Sequence, residues 1–392
     1  MWVDHPRSIE TETRMSSPDT PIPAERFRIL SFDGGLSTAF VIRILHHIER
    51  LTPGFLERTD LFSGSSDGAV VSLYLARALS QGRTGLEALT GCIEFHDEVF
   101  KTFKLTPRAA LRMASGLFSM FDGSALRGVL EKHYNGEQGR VSVLGDLSRA
   151  VSIESFNGST RQTTTYTQLK TPHTSLVEAA LASSALTPFF PAFRDSQPKA
   201  AYRGDVMFDG ALASNSPILP AVSDALHFLW KVNPRGRRAP ESFISADDDL
   251  RNLSLLSMGS NVQPDELTRT LFSIPWPPLR KDKQLYQYGM LWTVSTCVTW
   301  ILASMIQRQA SDECRFAMQL LGADRFFRFA PENTGYTSVL SFLLSPERFL
   351  ESVQERVQNF WAEGQAMCLF NWIQNYWMKN PPTPVRVGLA SE

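Results

Sequence analysis

Leu61-Phe62-Ser63-Gly64-Ser65-Ser66-Asp67-Gly68-Ala69-Val70-Val71-Ser72-Leu73-Tyr74-Leu75-Ala76 is the stretch that decides the fold. It opens as a short buried strand from Leu61 to Ser63, turns between Gly64 and Gly68, and continues as an apolar helix from Ala69 to Ala78. Strand, glycine-bracketed turn and helix in quick succession form the unit of a parallel α/β sheet. A serine at such a turn has a strained backbone, and glycines two positions away on each side relieve the crowding around it. Its hydroxyl stands above the strand ends, beside a helix N-terminus that favours negative charge. Alone, the Gly-x-Ser-x-Gly pattern also occurs as a plain Gly-Ser turn, so the flanking strand and helix carry the reading.

Upstream lies the same unit. Phe27 to Phe32 (FRILSF) is a buried strand stopped by Asp33-Gly34-Gly35, and Val41, Ile44, Leu45, Ile48 and Leu51 mark one face of the next helix. Ser37 or Thr38 is placed to cap that helix. Consecutive glycines let backbone N–H groups point into one concavity, as an oxyanion hole requires. No G-x-x-x-x-G-K-[ST] follows, which speaks against a nucleotide. Downstream, Val151 to Phe156 and Thr163 to Leu169 read as strands, and Ser175 to Ala185 as a helix. Asp205 to Phe208 leads into Asp209-Gly210-Ala211. Pro217 to Trp230 reads as a helix and Leu253 to Met258 as a strand ending at Gly259. Asp209 thus falls at the sheet edge where open α/β folds bind ligands. An aspartate within reach of Ser66 would serve as its base. A Ser66–Asp209–His227 triad is the rival, but His227 lies inside a helix between Leu226 and Phe228.

The order DGG, GxSxG, DGA resembles the patatin-like phospholipases. Ala182-Ser183-Ser184-Ala185-Leu186-Thr187-Pro188-Phe189-Phe190-Pro191, Asp209 to Pro217 and Leu253 to Gly259 are similar to further blocks of that family, and Asp324 to Phe329 is a looser match to its closing strand. The resemblance implies a three-layer α/β fold with a mainly parallel central sheet, a helical cap and helical C-terminal additions. It also implies a Ser66–Asp209 dyad without histidine, an oxyanion hole from the N–H groups of Gly34, Gly35 and Leu36, and no cofactor or metal. The chain departs from the family at Leu36, where a glycine is usual, and at Thr38, where an arginine is usual. The missing arginine removes a charge suited to phosphate, so neutral acyl esters or thioesters are expected to react at least as well as matched phospholipids.

The remaining sequence sets bounds. In 392 residues, 43% are hydrophobic and 20% charged, with a net charge of −1. That composition suits a globular chain and offers nothing global to nucleic acid. Cys92, Cys297, Cys314 and Cys368 are scattered, without zinc spacing, and read as reduced thiols. Residues 1–25 read as a disordered lead-in, 26–332 as the acyl hydrolase domain, and 333–392 as a helical C-terminal extension packed on the same domain. Pro234 to Asp249 reads as a solvated loop. Gly289 to Ile306 is apolar but broken by threonines and serines, and reads as a buried or pocket-lining helix. Between Phe95 and Phe121, Lys101, Lys104, Arg108 and Arg112 recur at helical spacing, interrupted by Pro107, as on a cap helix with a basic face. The function expected is hydrolysis of lipid or other acyl esters through an acyl-enzyme. Transfer of the acyl group from a thioester or small-molecule substrate is the alternative. The location expected is cytoplasmic, with peripheral membrane contact left open.

Overall fold

The computed structural model describes residues 26–115, 118–136, 139–187, 189–194, 201–232, 250–259, 305, 308–331 and 339–379. The N-terminal lead-in, the Pro234–Asp249 loop, Cys297 and, apart from Met305, the Gly289–Ile306 stretch lie outside them.

Strand β1 (Phe27–Phe32) pairs in parallel with β2 (Leu61–Ser65) on one side and β7 (Leu253–Met258) on the other. β3 (Ala150–Asn157) extends the sheet in parallel beyond β2, and β8 (Phe326–Phe329) beyond β7. Three short strands run antiparallel at the β3 side: β4 (Gln162–Tyr166) and β6 (Val206–Phe208) on β3, and β5 (Phe193–Arg194) on β6. The sheet is therefore mainly parallel, and its chain order reverses at β1. Such a reversal opens a crevice at the strand C-termini.

Alternation along the strands divides the apolar side chains between two layers. Leu30, Phe32, Phe62, Val151, Ile153 and Leu256 belong to a core with α1 (Thr38–Leu51), α2 (Asp67–Ser80), α3 (Gly85–Lys101), α5 (Ser124–Tyr134) and α6 (Leu176–Ser183). Phe27, Ile29, Leu61, Leu253 and Leu255 pack the other way, against α8 (Ile218–Val232) and α9 (308–321). α7 (Ala211–Ser214) is a single turn between β6 and α8. The C-terminal helices α10 (Val339–Leu344), α11 (Pro346–Ala362) and α12 (Met367–Trp372) join the first core. Arg28, buried on β1, donates to the carbonyl of Trp377 at 3.0 Å and ties that end of the chain to the sheet.

Three local expectations are corrected. β4 stops at Tyr166 rather than Leu169, because the Gln168 side chain takes the place of a ladder partner: it accepts from Val151 N–H at 2.9 Å and donates to Arg149 O at 2.5 Å. Neither Ser37 nor Thr38 caps α1; the Thr38 hydroxyl turns back to donate to Gly35 O at 2.8 Å. The basic segment is not one helix: α3 ends at Lys101, and Pro107 opens the separate helix α4 (Pro107–Ser115). Proline is well suited to a first helical turn. No helix of the described residues is long and apolar enough to cross a membrane.

Candidate active site

The turn after β2 places Ser66 at φ 53°, ψ −122°, one of two non-glycine residues with positive φ among those described. Such a conformation costs of order 1–3 kcal/mol and persists when its surroundings over-determine it. Those surroundings are glycines. A Cβ on Gly64 would strike the backbone of Gly68, and one on Gly68 would strike the carbonyls of Phe32 and Asp33. Ser66 N–H is held by Ser183 Oγ at 2.9 Å, and Ser183 Oγ donates to Glu154 O at 2.5 Å. The Ser184 hydroxyl donates to Ser66 O at 3.3 Å. Ser183 and Ser184 are structural partners that the sequence reading left without a role.

Register delivers Asp209. Ser65 stands opposite Glu154 on β3, and β3 continues past the end of β2 to Asn157. The overhang pairs with β6, Phe156 opposite Phe208 and Asn157 opposite Met207. The next residue of β6 therefore steps back toward Ser66. Ser66 Oγ donates to Asp209 Oδ2 at 2.7 Å, and Asp209 Oδ1 accepts from Ala211 N–H at 2.8 Å. Asp209 is fully buried. Burial pushes its pKa up to about 7; the hydrogen bonds from Ser66 and Ala211 pull against that, and the Asp67 carboxylate adds to it. Asp67 itself faces the buried His96, whose Nε2 lies 2.8 Å from Asp67 Oδ2. His227 is exposed on α8, whereas the Asp209 carboxylate meets the serine hydroxyl directly.

The Gly34–Leu36 turn lies beside this pair. Gly35 sits at φ 100°, and no described residue accepts from the N–H of Gly35 or of Leu36. Gly34, expected beside them as an oxyanion donor, is different. Its N–H donates to Asn215 O at 2.9 Å and is already engaged. Gly34 is needed for its missing side chain, since a Cβ there would come within 2.7 Å of Asn215 Oδ1 and 3.1 Å of Ser66 Cβ. Thr38 is buried with its hydroxyl on Gly35 O, so it presents no polar group to a substrate. Asp33, at the head of the turn, pairs with Arg328 and accepts from Ser216 Oγ at 2.6 Å. Glu313 on α9 accepts from the N–H groups of Ile218 and Leu219 at 3.0 and 2.9 Å, capping α8, and from Ser214 Oγ at 2.8 Å.

A cavity of about 330 Å³ has a wall that includes Leu126, Phe190, Ser184, Ala185, Arg127 and Arg194. Ala185 O also accepts the N–H of Asp209 at 3.2 Å, although neither Ser66 nor Asp209 lines the cavity. Among the described residues, no group of His, Cys, Asp and Glu side chains is placed to hold a metal.

Residues 30–222, which contain the elbow, the glycine turn and Asp209, match the model of the patatin-like phospholipase family. The chain carries a patatin-like domain. A protein of Bacillus subtilis named "Putative sporulation hydrolase CotR" is 34% identical over 82 residues, a match spanning 21% of this chain and 23% of CotR. The crystal structure of VipD from Legionella pneumophila aligns over 89% of this chain and 79% of VipD, at 11% identity and a TM-score of 0.33, too distant to carry an argument. The family match spans just under half of the chain, and the chain covers less than a quarter of the hydrolase relative's length. Arg328 and Glu313, which brace the loops of the patatin-like domain, both lie beyond the matched residues.

Proposed function

We propose that this chain is a serine acyl hydrolase that cleaves carboxylic esters of lipid or other acyl substrates through an acyl-enzyme on Ser66. The observation that carries the reading is the 2.7 Å hydrogen bond from Ser66 Oγ to the buried Asp209 carboxylate, at a serine held in a strained turn. Asp209 takes the hydroxyl proton as Ser66 Oγ attacks the acyl carbonyl carbon. The N–H groups of Gly35 and Leu36 meet the oxyanion, where fixed donors are worth far more than in water. Collapse of the tetrahedral adduct expels the alcohol, which leaves with the proton held by Asp209. Water then loses a proton to Asp209, attacks the acyl-enzyme, and releases the acid with Ser66 restored. A base whose pKa is raised to about 7 suits this exchange near neutrality.

Labelling with a fluorophosphonate and peptide mapping tests the reading. Wild-type protein should be modified at Ser66 and should hydrolyse p-nitrophenyl acyl esters, and Ser66→Ala should do neither. Turnover that survives Ser66→Ala would overturn it.

The substrate class that fits is a neutral acyl ester or thioester, because the glycine turn carries the uncharged, buried Thr38 rather than a cation. Any phosphate preference would fall to Arg127 and Arg194, which are solvent-accessible and screened by salt. Esters of equal chain length with and without a phosphate head group should differ by less than about a hundredfold in kcat/KM, roughly 2.7 kcal/mol, at high salt. A larger phospholipid preference there would sink this substrate class.

A further inference from the structure

We infer that Arg328 is a positioning residue that fixes the oxyanion turn against the loop carrying the catalytic base. The inference rests on the acyl hydrolase reading above, and its geometry is independent of it. Arg328 stands on β8, opposite Ser257 of β7, and reaches across the strand ends to Asp33 at the head of the Gly34–Leu36 turn. Both terminal guanidinium nitrogens are used. Nη2 donates to Asp33 Oδ2, while Nη1 donates to Asp33 Oδ1 at 2.7 Å, to Ser257 Oγ at 2.7 Å and to Ser216 Oγ at 3.1 Å. Ser216 belongs to the segment that follows Asp209, and its hydroxyl donates to the same Asp33 Oδ1 at 2.6 Å. Its neighbour Asn215 accepts the N–H of Gly34 at 2.9 Å. One planar fork therefore holds two loops that no ladder joins, at the point where donors and base must share a substrate. A fork of fixed donors sets direction as well as distance, which a single ammonium does not.

Two observations favour positioning over mere burial of charge. Gly259, at the end of β7, is required by the pair: a Cβ there would collide with the Asp33 carboxylate and come within 2.7 Å of Arg328 Nη2. The pair also lies at the end of the sheet that carries the site, rather than deep within either apolar layer. Burial acts to lower the Arg328 pKa, but Asp33 outweighs it, and the guanidinium stays charged.

The test uses the full chain with p-nitrophenyl esters and counts competent sites by fluorophosphonate titration. Arg328→Lys keeps the charge and loses the fork; Ser216→Ala removes the link to the second loop while leaving the ion pair. Each should lower kcat per folded molecule, by between about tenfold and a hundredfold, the scale on which small misplacements act. KM should stay within about threefold of wild type, and melting temperature should not track the loss across the two variants. Should Arg328→Lys fail to fold, Ser216→Ala alone decides. Wild-type kcat in the folded variants, with an active wild type, would overturn the inference and leave the acyl hydrolase reading standing. A wild type without esterase activity would remove both.

Discussion

On the face of the sheet that meets α1 and α2, Phe32, Phe62, Ile153 and Met258 keep the surface apolar to the strand ends. On the opposite face the strands begin alike, with Ile29, Leu61, Ala150 and Leu255 packed on α8 and α9, and then change character. Arg328, Ser257, Ser31, Ser63 and Ser152 stand in register across β8, β7, β1, β2 and β3, and Ser65 and Glu154 follow one step closer to the site. Both faces are buried, so the difference lies in what each can specify. Apolar contacts are non-directional and tolerate small slides. Buried polar groups demand particular partners, and an unmet one costs about 1–3 kcal/mol. Ser63 Oγ on Pro217 O, Ser152 Oγ on Asp224 and the Asp33–Arg328–Ser216 cluster therefore register α8 and both site loops on the sheet. One face contributes stability; the other contributes alignment.

Substitutions on the two faces should separate these contributions. Ser66→Ala and Asp209→Asn should each lower kcat by at least about a thousandfold while preserving the fold. Phe62→Ala, on the apolar face, should do the reverse, losing about 3–5 kcal/mol in denaturant unfolding with kcat per folded molecule unchanged. Comparable kcat losses from both faces would break the comparison. Gly35→Val should lose about 3 kcal/mol of transition-state stabilisation with substrate still bound, because φ 100° excludes a branched residue and its N–H is a proposed oxyanion donor.

The raised pKa of Asp209 gives a prediction of opposite sign for stability. Between its ordinary 3.8 and the folded value of about 7, the folded chain holds a proton that the unfolded chain has lost, so Asp209 makes stability fall as pH rises. Asp209→Asn has no charge to bury. It should melt higher than wild type above about pH 8, by as much as ~4 kcal/mol, and match it near pH 4. In the wild type, kcat/KM should rise with pH through about 7 as the base loses its proton. The smallest effect belongs to His227→Gln on the exposed side of α8, where turnover should stay within about tenfold, roughly 1.4 kcal/mol. Inactivity of that variant would restore the Ser–His–Asp alternative.

How much of this was legible in the sequence followed the range of the interactions. β1, β2 and β7 were readable because a buried parallel strand writes itself as a short apolar run, and the elbow because its glycines are local. Asp209 was readable from its own turn and strand. The engagement of Gly34 was not, since its acceptor Asn215 arrives from a distant loop. Neither were the roles of Arg328 and Glu313, which carry no local pattern and meet their partners only in the fold. The early end of β4 was hidden by Thr163-Thr164-Thr165-Tyr166-Thr167-Gln168, whose composition stays strand-like while Gln168 leaves the ladder through its side chain.

The pairing of β6 on the overhang of β3 has a consequence for how the chain can change in length. Phe208 against Phe156 and Met207 against Asn157 set the phase from which Asp209 is reached. Residues gained or lost ahead of Val206 alter a surface connection, whose entropic cost grows only slowly with length. One residue gained between Met207 and Asp209 would turn the carboxylate to the other side of the strand. Descendants of this sequence are thus free to vary the approach and are held to a fixed count over the last step, so that the Asp209 carboxylate is inherited as a phase as much as a residue.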